Sequence, residues 1–185
     1  MKRLGVAVLA CDTIRKRSVA AVLSIVSAVA LPQLMHLLGR LCGAGSSLGE
    51  MFLPMHFSVL LAGLLAGAWT GAAVGALSPV LSFLLTGMPS AEMLPFMTIE
   101  IAVYGALTGA LAERKLPDLA KLFVAQIGGR VCKAAAMAFA FYCLQSPIGM
   151  DMLLSSLLLG IPGILLQWVI IPPLFSFAKD ASENG

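Results

Sequence analysis

Six stretches of this chain approach the width of a bilayer with almost nothing charged in them: 18–39, 53–68, 69–87, 94–112, 119–144 and 150–178. A helix needs about 20 apolar residues to cross hydrocarbon, where every backbone N–H and C=O must be satisfied within the segment. Those runs therefore predict an all-α membrane protein of six transmembrane helices, the second and third short and nearly continuous around Trp69. Composition agrees. Of 185 residues 59% are hydrophobic and 11% charged, where a soluble domain carries about a quarter charged.

Lys and Arg placement sets the orientation, because cytoplasmic flanks carry the excess. With the N-terminus inside, Lys2, Arg3, Arg15, Lys16, Arg17, Arg114, Lys115, Lys121 and Lys179 fall on the cytoplasmic side and Arg40 outside. Both termini are expected in the cytoplasm. The formal charge of +3 thus reports topology, and no basic stripe with interleaved aromatics marks a nucleic-acid partner. The start, MKRLGVAVLAC, superficially resembles a signal peptide. Cleavage before Cys11 would strand Arg15, Lys16 and Arg17 outside, so an uncleaved start is expected. The four cysteines form no CxxC pair and show no metal-like spacing. With no linker in the chain, one membrane domain is expected over 18–178, between a cytoplasmic or interfacial segment 1–17 and a cytoplasmic tail 179–185.

Charge inside a span costs upward of about 2.5 kcal/mol and usually faces the bundle interior or a cavity. Away from the span ends, Glu100 in MTIEIAVYG and Arg130 and Lys133 in GGRVCKAAA stand out. At about 1.5 Å per residue they lie roughly 9, 21 and 16 Å from the outer ends of their spans. One reading is an internal ion pair that locks two helices. The other is that two cations against one carboxylate leave a positive excess for an acidic ligand. Arg130 and Lys133, three apart, share a face; Gln126 extends it, as Tyr104 and Thr108 extend that of Glu100.

Other features cluster at the outer end. Glu50 and His56 bracket Pro54 at the rim of the second span, and Gln33 and His36 stand near the end of the first. Met35, Met51, Met55, Met88, Met93, Met97, Met150 and Met152 all fall in the outer half or its loops. Flexible thioethers suit a surface that repacks around an apolar ligand, and equally fill gaps between helices. Two histidines among methionines also admit a haem or metal site. No HExxH occurs, and Ser78 in GALSP has no obvious local base, so no enzymatic activity is expected. On the first span Ala20, Ser24 and Ala28 recur at spacing of four, a small-residue face that lets another helix approach.

Taken with LPQLMHLLG, FLPMHFSVLLAGLLAGAWTGAAVGALSP, FLLTGMP, TIEIAVYGALTGAL and GGRVCKAAA, that face gives the chain a resemblance, over nearly its whole length, to the substrate-binding S components of energy-coupling factor (ECF) vitamin transporters. The resemblance implies a six-helix capture subunit that takes a vitamin or related micronutrient from outside. It implies docking, through Ala20, Ser24 and Ala28, on a transmembrane coupling subunit driven by two cytoplasmic ATPases, so that ATP is bound by the partners and this chain needs no cofactor. It places the ligand between a lid carrying Glu50, Met55 and His56 and helix ends carrying Glu100, Tyr104, Arg130, Lys133, Gln167 and Trp168. The implied location is the prokaryotic plasma membrane. A non-transporting membrane scaffold of the cell-wall elongation type shares this helical layout and remains the alternative, as does a haem- or metal-binding uptake subunit.

Overall fold

The computed structural model describes residues 2–43, 51–145 and 150–183, with side chains over 18–43, 51–143, 145, 152 and 154–178. Seven helices make up this part: α1 (Lys2–Leu41), α2 (Pro54–Ala66), α3 (Ala68–Thr86), α4 (Leu94–Leu111), α5 (Asp118–Leu144), α6 (Met150–Leu159) and α7 (Ile161–Glu183). Five segments have the length and hydropathy of a membrane span: Ser18–Leu41, Ala68–Thr86, Leu94–Leu111, Asp118–Cys143 and Leu154–Ala178. The sixth expected span is α2, with 13 residues. At 1.5 Å per residue it covers about 20 Å, well short of a hydrocarbon core of about 30 Å. α2 is a buried helix walled by its neighbours, and its backbone hydrogen bonds close within that length.

Two boundaries differ from the sequence reading. α1 runs without a break from Lys2 through Ser18, so the basic N-terminal segment continues the helix of the first span. The last apolar run, expected as one helix over 150–178, turns at Gly160 into α6 and α7. Pro162 lies in the first turn of α7, where its missing N–H has no intrahelical partner to lose.

Packing is closest where side chains are smallest. A Cβ on Gly105 of α4 would stand 2.1 Å from the carbonyl oxygen of Gly71 on α3, and one on Gly75 would stand 2.4 Å from the carbonyl of Ile101. Such backbone-to-backbone contact between α3 and α4 is open only to glycine. At the same seam the site of Gly63 on α2 meets Thr108 and the Gly105 carbonyl, and the Thr108 hydroxyl donates to the Tyr104 carbonyl at 2.8 Å. α2, α3 and α4 therefore meet along one glycine-lined seam. Around it lie two apolar clusters, one joining Ala28, Met55, Val59, Ala62, Val74 and Ile101, the other Leu60, Leu64, Tyr104, Leu122, Ala125 and Ile171.

The outer surface of the bundle is apolar, with Val22, Phe139 and Val169 among many large exposed side chains, as lipid contact requires. Trp69 is 91% exposed at the start of α3, the boundary position favoured by interfacial aromatics. Ala28 is wholly buried in the first apolar cluster, whereas Ala20 and Ser24 are half-buried at the border of α1. Of the expected docking face, then, only Ala20 and Ser24 are accessible; the Ala28 methyl belongs to the internal packing.

Candidate binding site

α2 begins abruptly. Leu53 adopts the left-handed conformation at φ 47 and Pro54 opens the helix, a backbone state that disfavours any side chain with a Cβ. Gln167 of α7 braces it, its Nε2 donating to the Leu53 carbonyl at 3.3 Å. Gln167 in turn accepts from Gln126 Nε2 at 2.7 Å, and Trp168 Nε1 donates to Gln126 Oε1 at 2.6 Å. This chain of bonds ties α5 to α7 and fixes the start of α2, the element that carries Met55 and His56 inward.

Beyond Leu53 lies a cavity of about 350 Å³, the size of a small-ligand pocket. α1 contributes Gln33 and His36 to its wall, α2 Met55 and His56, α4 Glu100, and α5 Arg130 and Lys133. The segment between α3 and α4 adds Met88 and Met93, and α6 adds Met152, Ser155 and Ser156.

Electrostatics in the cavity centre on Glu100, which is almost fully buried. Its Oε2 accepts from Lys133 Nζ at 2.9 Å and its Oε1 from the Tyr104 hydroxyl at 3.1 Å. The Tyr104 ring stacks edge-on to His56, centroids 5.3 Å apart, and lies flat along α5 because Gly129 has no side chain: a Cβ there would stand 2.1 Å from the ring. The Glu100 carboxylate is thus satisfied by one cation and one hydroxyl. Arg130, half-buried, makes no ion pair with a carboxylate among the described residues. Its guanidinium reaches past Gly160, at the break between α6 and α7, where a Cβ would stand 2.7 Å from Nη2. Lys133 joins α5 to α4 through its pair with Glu100, whereas no carboxylate among the described residues pairs with Arg130.

The structure brings Met55, His56, Glu100, Arg130 and Lys133 onto one cavity wall, with Tyr104 directly behind Glu100. Gln167 and Trp168 stand elsewhere, in the bracing network beside the cavity, and Gln126 turns to that network instead of to α4. Glu50 lies outside the described residues. Gln33, His36 and the serines of α6 join the site beyond the residues that the family resemblance implied. His36 carried a signal in the sequence, a lone imidazole three residues from Gln33 at the same helix end; Ser155 and Ser156 carried none, since only the turn at Gly160 aims α6 at the cavity.

A bundle of membrane-length helices enclosing a ligand-sized, charge-bearing cavity defines a multi-pass membrane protein of the solute-binding class. A family model described as "ECF transporter, substrate-specific component" matches residues 15–176, all but the two ends of the chain. The chain belongs to that family and is a substrate-specific membrane component of an ECF transporter, located in the prokaryotic cell membrane. Comparison with curated proteins and with solved structures returned no match.

Proposed function

We propose that this chain captures a small, acid-bearing micronutrient of the vitamin kind from outside the cell and delivers it through a transmembrane coupling subunit driven by two ATPases. It performs no chemistry on the solute and binds no ATP itself. The observation that carries this reading is the cavity in which, among the described residues, Arg130 and Lys133 face one carboxylate, that of Glu100. A carboxylate or phosphate on the solute completes that count. The distribution of Lys and Arg supports an orientation with both termini in the cytoplasm, which turns the cavity outward.

Arg130→Ala tests the role of the excess cation. A hydrogen bond to a charged group contributes about 1.5–3 kcal/mol, so affinity for the small molecules that co-purify with the protein should fall about 10- to 100-fold. The melting temperature should hardly move, since Arg130 makes no ion pair among the described residues. Titration of the extracted, identified solute against both proteins reads the first effect and thermal unfolding the second. Equal losses in both would place Arg130 in the packing and remove the reading's main support. Recovery of no solute, with stable association to wall-synthesis proteins, would favour a scaffold.

Delivery is tested separately. Ala20→Trp with Ser24→Trp fills the accessible small-residue face of α1, and binding should persist while uptake into cells stops. Loss of binding would mean that this border, like Ala28, is internal packing.

A further inference from the structure

His36 and His56 line the cavity together with five methionines, among them the buried Met55. Both imidazoles are more than nine-tenths buried, at 7% and 2% exposed. Nevertheless Nδ1 of His36 and both ring nitrogens of His56 have no hydrogen-bond partner among the described residues. Glu100 Oε2 stands 3.8 Å from His56 Nε2, beyond hydrogen-bond reach. Unsatisfied buried nitrogens are costly and call for a partner. Imidazole nitrogen and thioether sulfur are donors to copper, nickel and iron.

Two further observations narrow the form of the metal. Among the described residues no group of three or more His, Cys, Asp or Glu side chains is arranged to hold an ion. Among the described residues the wall also carries a net positive charge, from Arg130 and Lys133 against Glu100, which repels a bare cation. A metal already wrapped in an acidic chelator meets both conditions. It needs only one or two donors at its open positions, and its carboxylates bring the negative charge that Arg130 lacks. We infer that the solute of this cavity is an anionic, carboxylate-bearing chelate of a transition metal, ligated by His36 or His56 at open coordination positions and held at its acid groups by Arg130. This rests on the acid-bearing solute proposed above and adds the metal to it.

The test uses the full chain in lipid nanodiscs and two probes of different size, copper(II) nitrilotriacetate and iron(III) protoporphyrin IX, each beside its metal-free ligand. At least one chelate should bind about 10-fold or more tightly than its metal-free ligand, and that gain should vanish in His36→Ala, in His56→Ala or in the double variant. Arg130→Ala should weaken metallated and metal-free forms alike. Where a histidine variant fails to fold, the wild-type complex answers: spin-echo modulation from a remote imidazole nitrogen on copper, or a Soret band of nitrogen-ligated iron, reports ligation directly. The inference is overturned if neither chelate gains over its metal-free ligand, or if the gain survives loss of both histidines. Arg130-dependent binding of the metal-free acids would then leave the acid-bearing solute standing alone. Absence of all Arg130-dependent acid binding, including that of co-purifying molecules, would remove both.

Discussion

Gly105→Val should leave no folded bundle to recover from membranes. Its first added atom would meet the Gly71 carbonyl at 2.1 Å, and the obstacle is backbone on the facing helix, which no rotamer change relieves. Overpacking in a core that can adjust costs about 1–3 kcal/mol; here α3 and α4 would have to separate. Separation would also unseat Ile101 and Tyr104, members of the two apolar clusters around α4. Gly105→Ala should already lower the melting temperature sharply. Size-exclusion profiles and thermal unfolding in mild detergent read the outcome, and a monodisperse Gly105→Val protein with unchanged unfolding would show that the two helices do not meet at this seam.

Glu100→Gln should be the most damaging single change at the site itself. Removing one partner of a buried ion pair leaves an uncompensated charge and costs about 3–5 kcal/mol. Here the orphan would be Lys133 Nζ, now 2.9 Å from the carboxylate on a nearly buried side chain. Adding Lys133→Met to Glu100→Gln should restore most of the stability, because an apolar side chain of similar length then replaces the stranded ammonium. A double-mutant cycle on unfolding free energies measures the coupling. Additive losses in the two single variants would contradict a direct Glu100–Lys133 pair.

The same two residues show how far reading along the chain can go. A carboxylate and two cations inside apolar runs announce themselves by cost alone, and spacing of three puts Arg130 and Lys133 on one face. Which cation meets Glu100 depends on how α5 faces α4, where Gly129 makes room for the Tyr104 ring, while Gly160, at the break between α6 and α7, leaves space for the Arg130 guanidinium. Gln167 and Trp168 illustrate the opposite case. They stand on an apolar helix like site residues, but their partners, Gln126 and the Leu53 carbonyl, are 41 to 114 positions distant, and no local pattern encodes such a pairing. Ala28 differs again: a small residue at spacing of four looks the same whether it faces a partner protein or Val59 and Ile101 of its own bundle.

What the sequence by itself determined is the solvent this protein folds in and the elements that result. Apolar runs of bilayer length admit only helices, because backbone groups in hydrocarbon must be satisfied locally, and that constraint acts within each segment. What only the tertiary structure decided is which faces meet. The shortness of α2, the turn at Gly160, the pairing of Lys133 rather than Arg130 with Glu100, and the burial of two imidazoles in the cavity wall all follow from contacts between helices remote in sequence. Those contacts are chosen by fit between surfaces, glycine against backbone above all, and fit is a property of the assembled bundle.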